Sequence, residues 1–282
     1  NPAAAEKTQK YFDNATTIAN TFAGTEFAYV RPLALWLQFN AVVTEELPYQ
    51  TLRQHFNKPA LWLGSAKKAN QFCQHLAQAG KWLSWYHQRV GQPQQRRSTS
   101  QEMADLIAQE LTQLEPFLKN NSSFARLASQ LEDLGRVVSQ KSILWGQPHG
   151  DFHYANILVS PNGRLAVIDA NASAKSRPVY TDLAKLIVDP LTLPQQWLTQ
   201  ALFLSQKRAM HLSEAVLKGY FGAEKPDKTV MKFYLLLAVI QKWIYIEKKS
   251  QRQLKSIPPV NFLLYIGRKR YFLSLCQKIA TL

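Results

Sequence analysis

Residues 149–169 read His149-Gly150-Asp151-Phe152-His153-Tyr154-Ala155-Asn156-Ile157-Leu158-Val159-Ser160-Pro161-Asn162-Gly163-Arg164-Leu165-Ala166-Val167-Ile168-Asp169. The apolar run Ile157–Val159 is followed by Ser-Pro-Asn-Gly, a strong turn signal, and then by the β-prone run Leu165–Ile168. The segment therefore reads as a β-hairpin. A hairpin returns the chain to its starting point. Asn156, just before the first strand, and Asp169, just after the second, should finish together at the open end, and Asp151 can loop back to the same place.

An Asp, an Asn and a second Asp converging at one point suit phosphoryl transfer. Hard oxygen ligands of this kind hold Mg2+, which favours one or two carboxylates with substrate phosphates and water. The remaining carboxylate can accept a hydroxyl proton. Protein kinases use the same parts, but this chain has His-Gly-Asp where they have His-Arg-Asp, and Ile-Asp-Ala where they have Asp-Phe-Gly. Both changes point away from a protein kinase.

The 282 residues are enough for one large domain or two lobes, and the 46% apolar fraction indicates a globular chain. Cys73 and Cys276 stand alone, without zinc-site or disulfide spacing, which favours reduced thiols and a cytoplasmic location. No signal peptide is visible, although the chain begins with Asn rather than Met. The longest apolar run, Phe233–Ile240, falls short of the roughly 20 residues of a membrane-spanning helix, so a soluble protein is expected. The formal charge of +15 is uneven: residues 225–282 hold twelve Lys or Arg against two acids. Such a basic end suits an anionic partner or the anionic surface of a membrane, or simply a solvated helical face.

Around the hairpin, residues 5–23 carry an apolar stripe at helical spacing. Residues 29–37 and 40–48 read as two strands joined by a short turn. Ser65 is expected to cap a long helix to about Val90. Thr99-Ser100-Gln101-Glu102 is a capping box opening a helix to about Leu118, and another helix follows to Ser139. After the hairpin and a polar loop, a helix restarts at Thr181. Further helices are expected at about 195–205, 210–221, 227–249 and 259–280.

Taken together, His149-Gly150-Asp151-Phe152-His153-x-x-Asn156, Val167-Ile168-Asp169 and Tyr180-x-Asp182-Leu183-Ala184 resemble the aminoglycoside phosphotransferase and choline kinase-like superfamily. The resemblance extends upstream through Val30-Arg31-Pro32-Leu33 and Val43–Leu52, and through Ala79–His87. It implies an α+β, protein-kinase-like fold. A small, partial β-containing N-terminal lobe (residues 1–47) would precede a large, mostly helical C-terminal lobe (48–282) that holds the catalytic hairpin at 149–169. It implies Asp151 as catalytic base, Asn156 and Asp169 as Mg2+ ligands, and Asp182 with His149 as structural support of the catalytic loop. Glu46 and Leu47 would offer hinge backbone groups to the purine of ATP or GTP.

The family's opening strands, phosphate-covering loop and lysine have no counterpart in residues 1–28, and no Gly-x-Gly occurs. They are expected to lie upstream of residue 1; Glu6 would then be the helix glutamate. Ser176-Arg177-Pro178 stands where many relatives have Gly-Asp-Pro, which adds a positive charge. With 34 basic residues against 19 acids, a polycationic aminoglycoside is disfavoured as acceptor. The expectation is a cytoplasmic small-molecule or glycan kinase, possible peripheral membrane contact included, that acts on a neutral or anionic hydroxyl compound; nucleic acid is not expected as a partner. The competing reading is a catalytically silent kinase-like module that recruits an anionic partner through its basic end.

Overall fold

The computed structural model describes residues 2–58, 66–118, 122–170, 176–201, 204–253 and 258–281. Two compact units emerge. The first comprises Asn1–Gln94, Trp145–Leu186 and His211–Glu224, and the second Gln95–Leu144, Ile187–Met210 and Lys225–Leu282. The lobe boundary drawn after Leu47 from sequence falls inside the first unit, which also contains the whole catalytic segment.

The chain opens with α1 (Pro2–Phe22), whose Ala15, Ile18 and Phe22 are buried. It stops before Gly24, which takes φ +74 to turn the chain. After β1 (Ala28–Tyr29), strands β2 (Pro32–Trp36) and β3 (Ala41–Thr44) form the expected antiparallel pair. Next come β4 (Gln50–Thr51) and α2 (Leu52–Phe56), where Thr51 and Gln54 cap each other reciprocally. Helix α3 (Ala66–Arg89) presents Phe72, Leu76, Ala79, Trp82, Leu83 and Tyr86 as its buried face. Ser65 and Trp62 lie outside the described residues.

Strand β5 (Gln94–Arg97) precedes α4 (Ser100–Leu118), which opens on the expected capping box: Glu102 N donates to Thr99 Oγ1 at 3.0 Å and Thr99 N to the Glu102 carboxylate at 2.8 Å. Helix α5 (Ser122–Ser139) and β6 (Ser142–Gly146) lead to the hairpin strands β7 (Ile157–Val159) and β8 (Leu165–Val167), then to β9 (Arg177–Pro178). Helices α6 (Tyr180–Val188), α7 (Pro194–Leu198), α8 (Gln206–Phe221), α9 (Lys228–Gln253) and α10 (Pro258–Ala280) complete the described elements. Helix α7 is shorter than the sequence suggests, because Gln200 and Ala201 turn into the left-handed region at φ 52 and 69.

The hairpin pairs Ile157 with Val167 and Val159 with Leu165, and β8 is buried on both faces. Its turn closes with Gly163 N donating to Ser160 O at 2.9 Å, Gly163 taking φ +84. Two outer strands complete the sheet in the order β1-β8-β7-β4, β1 running parallel to β8 and β4 antiparallel to β7. The core of this unit stacks rings on Trp82, Tyr86 among them at 5.3 Å and 12°. Trp82 stacks on Phe22 (centroids 4.8 Å apart, planes 5° apart) and on Phe152 (5.6 Å, 12°), and so ties α1 and α3 to the catalytic loop.

The second unit is built around α9, which buries Val230, Phe233, Leu236, Leu237, Ile240 and Trp243. Over Lys228–Gln251 this is the one helix among the described residues long and apolar enough to cross a membrane; 61% of its most apolar window is buried within the chain. The helix expected over about 227–249 runs through the polar pair after the apolar run: Gln241 reaches Glu110 at 2.9 Å and Lys242 reaches Asp189 at 3.3 Å. Part of the basic excess is spent the same way. Buried Arg268 forms a two-bond fork with buried Glu247, at 3.1 and 2.9 Å.

Candidate active site

The catalytic segment leaves β6 through a turn that only glycine enters freely: Gly150 takes φ +85. On either side of that turn the amides of His149 and Gly150 donate to the two oxygens of Asp182, at 2.6 and 2.9 Å. Asp182 stands in the first turn of α6 with no solvent exposure. His87 Nε2 lies 3.2 Å from its Oδ2, and Lys185, one turn along α6, donates to Gly150 O at 2.5 Å. A carboxylate only accepts, so His87 carries a proton on Nε2, while its Nδ1 is hydrogen-bonded with the Tyr220 hydroxyl at 2.9 Å. Burial alone would raise the Asp182 pKa; the His87 hydrogen bond first, and then the electrostatic influence of His87 and Lys185, outweigh it and hold the carboxyl below its usual range.

Tyr220 reaches His87 because α3 and α8 touch backbone to backbone. A Cβ on Gly219 would sit 1.9 Å from Ala77 O, and one on Gly80 2.3 Å from Val216 O. His87, near the end of α3, is a polar strut beneath the loop. Lys185 and Tyr220 escaped the sequence reading. The three-residue spacing of Asp182 and Lys185 on one helix was the available signal.

The His149 ring lies under the loop, with the Ile168 backbone as its hydrogen-bonding neighbour. It is fully buried, edge-on to Trp82, Tyr86 and Phe152. Neither ring nitrogen makes a hydrogen bond of good geometry to a described residue. Burial pushes the ring's pKa from 6.5 down to about 4, so it stays neutral.

With His149, Phe152 and Tyr154 turned inward, Asp151 and His153 face out. The Ala155 amide donates to His153 Nδ1 at 3.2 Å, so the proton of the neutral ring sits on Nε2, 3.4 Å from Asp151 Oδ1. Asn156, itself buried, donates through Nδ2 to Asp151 O at 3.0 Å and to Asp151 Oδ2 at 3.2 Å. Both oxygens of an exposed carboxylate are thus steered. The His153 hydrogen bond leads the influences that hold Asp151 below the usual carboxylate range, with Lys185 and Asn156 adding to it against burial.

The hairpin delivers Asp169 to the same end. Ile168 N donates to Asn156 O at 3.1 Å, and Asp169 follows with φ 60, in the left-handed region. Two tyrosines hold it there: the Tyr11 hydroxyl donates to Asp169 Oδ1 at 3.0 Å, and the Ala170 amide donates to the Tyr29 hydroxyl at 3.0 Å. Burial, with the neighbouring Asp169 charge, pushes the Tyr29 phenol up to about 12. Neither tyrosine was legible as a site residue, because each reads as part of an apolar stripe. Glu6, the candidate helix glutamate, instead pairs with Lys10 at 2.7 Å on the exposed surface. Tyr11 is the α1 residue that reaches Asp169.

Glu46 and Leu47 lie in the extended link between β3 and β4. The Leu47 carbonyl accepts from Tyr49 N at 2.7 Å, whereas the Glu46 backbone makes no hydrogen bond to a described residue and keeps both groups available. Exposed Arg177 sits in β9 opposite Gly146 of β6.

The donor set fits Mg2+. The Asp151 carbonyl can only accept, so Asn156 must turn its nitrogen there, which leaves Asn156 Oδ1 as a neutral oxygen ligand. Asp169 Oδ2 receives no hydrogen bond from a described residue. One carboxylate oxygen and one amide oxygen, with phosphate and water, make a hard ligand set of the kind Mg2+ takes.

No protein-family model matches the chain, and no curated protein matches it. Solved structures do. A glucosamine kinase in complex with glucosamine, ADP and inorganic phosphate superposes with a TM-score of 0.64 at 15% identity, over 93% of this chain and 67% of that one. The choline kinase LicA from Streptococcus pneumoniae gives 0.53 at 14% identity, over 95% and 83%. A spectinomycin phosphotransferase in complex with ADP and spectinomycin gives 0.51 at 13%, over 96% and 83%. The chain has the α+β kinase-like fold of these small-molecule kinases, the fold its motifs resemble, and spans about two thirds of the glucosamine kinase chains.

Proposed function

We propose that this chain, folded as small-molecule kinases are, is a magnesium-dependent phosphotransferase that moves the γ-phosphate of ATP or GTP to a hydroxyl of a sugar, another small molecule or an envelope glycan. The observation that carries the reading is Asp151: exposed, held at both oxygens by His153 and Asn156, and set at the hairpin end where Asp169 emerges.

In this reading Asp151 orients the acceptor hydroxyl. As the hydroxyl oxygen bonds to the γ-phosphorus and the bond to the β-phosphate oxygen breaks, the hydroxyl proton passes to the Asp151 carboxylate. Because that carboxyl lies below its usual range, it is ionised at neutral pH, and proton acceptance comes late in the transfer. Asn156 and Asp169 would hold Mg2+, which when bound neutralises charge on the phosphates. The Glu46 backbone would receive the base edge. Phosphoryl transfer needs positioning and charge neutralisation above all, so this sparse polar set suffices. The basic excess favours a neutral or anionic acceptor over a polycation.

Transfer from ATP and GTP should be measured against amino sugars, neutral sugars, amino alcohols and glycans. Wild type should turn over at least one acceptor, and Asp151→Ala should lose about 10²–10⁴-fold in kcat with unchanged unfolding. Equal turnover by wild type and Asp151→Ala would sink the proposal. Nucleotide binding without transfer to any acceptor would favour a silent kinase-like module.

A further inference from the structure

We infer that Tyr11 is a positioning residue that decides which cation Asp169 accepts, favouring magnesium over calcium; the inference rests on the kinase reading above. The Tyr11 hydroxyl caps Asp169 Oδ1 at 3.0 Å, reaching from α1 across 158 residues of sequence. A carboxylate can only accept, so the hydroxyl is the donor. Asp169 is also fixed from behind. Its backbone holds φ 60, rare for a residue with a Cβ, and the next amide is tied to the Tyr29 hydroxyl at 3.0 Å. Tyr29 is itself buried. The carboxylate is therefore anchored at its root and capped on one oxygen, while Oδ2 receives no donor from a described residue.

The cap limits how the carboxylate can bind a cation. With Oδ1 engaged by a phenol, Asp169 offers a single oxygen unless the hydrogen bond breaks. Mg2+ takes about six oxygens near 2.0–2.1 Å in a regular octahedron and is served by one-oxygen carboxylates. Ca2+ takes roughly 6–8 oxygens at about 2.3–2.6 Å and readily uses both oxygens of a carboxylate. A hydroxyl on Oδ1 therefore acts against calcium more than it acts for magnesium. Phenylalanine at position 11 would keep the ring in place and free the second oxygen.

The test follows bound Mn2+ by electron paramagnetic resonance in protein with ADP, against an ADP-only control, with Mg2+ or Ca2+ added as competitor. In wild type, Mg2+ should displace Mn2+ at lower concentration than Ca2+. In Tyr11→Phe that preference should fall by about tenfold, with the thermal midpoint in chelator unchanged. Tyr29→Phe, which keeps the Tyr11 hydroxyl but removes that hydroxyl's own hydrogen-bonding neighbour, should lower the preference less than Tyr11→Phe does. An unchanged preference in Tyr11→Phe overturns the inference while leaving the kinase reading intact. Equal displacement by the two cations in wild type overturns it even if the variant does not fold. Absence of protein-dependent Mn2+ binding overturns the metal site itself, and the kinase reading with it.

Discussion

Asp182 and Asp169 lie thirteen residues apart and serve the same segment of chain, yet they meet opposite surroundings. Asp182 has no exposed surface, and both its oxygens are taken by loop amides, with His87 as a further partner. Asp169 is exposed, set on a left-handed backbone, and touched by one phenol. A buried charge is tolerated only when hydrogen bonds replace its water, and a carboxylate used that way has nothing left for a cation. An exposed carboxylate stays available, and its orientation must then be supplied by the backbone and its neighbours. In the proposed reading the loop thus keeps one acid for shape and another for chemistry.

Removing each acid separates these roles. Asp182→Ala should destabilise the protein by about 3–5 kcal/mol, because it orphans two buried amides and a histidine. Asp169→Ala should stay within about 1 kcal/mol of wild type while abolishing cation binding. Denaturant unfolding of the two variants checks both; equal losses would break the contrast. Gly219→Ala tests the packing behind Asp182. Its methyl would meet Ala77 O at 1.9 Å, so α8 must shift and carry Tyr220 off His87, at about 1–3 kcal/mol.

A more gradual effect is expected from pH. Burial takes the His149 pKa from 6.5 to about 4, so below pH 6.5 the unfolded chain takes up a proton that the folded chain refuses. Its stabilising share is whole above pH 6.5 and is lost as pH falls towards 4, on the order of 3 kcal/mol. In His149→Phe, stability measured across that interval should be flatter than in wild type.

The same contrast explains what could be read in advance. The hairpin was legible because turn chemistry and strand propensity are local signals, and the meeting of Asn156 and Asp169 follows from strand geometry. The capping box at Thr99–Glu102 and the buried stripe of α3 were legible for the same reason. Strands β1 and β4, two residues each, are too short to alternate, so the sheet's outer strands stayed hidden. Tyr11, His87 and Tyr220 act over separations of 158, 95 and 133 residues, and nothing in their local pattern tells them from core residues. Helix α9 was legible over about 227–249, whereas the partners its polar residues find in Glu110 and Asp189 were not.

The rings stacked on Trp82 also have an optical consequence. Trp82, pinned by its Nε1–H on Ala28 O at 3.0 Å, forms with the nearly parallel rings of Phe22, Tyr86 and Phe152 a fixed asymmetric array whose ultraviolet transitions couple. The folded chain should therefore carry a strong near-ultraviolet circular dichroism band that depends on Phe152 being seated. Undocking of the catalytic loop would erase that band before the helices melt, so the state of the loop can be followed by light without any added label.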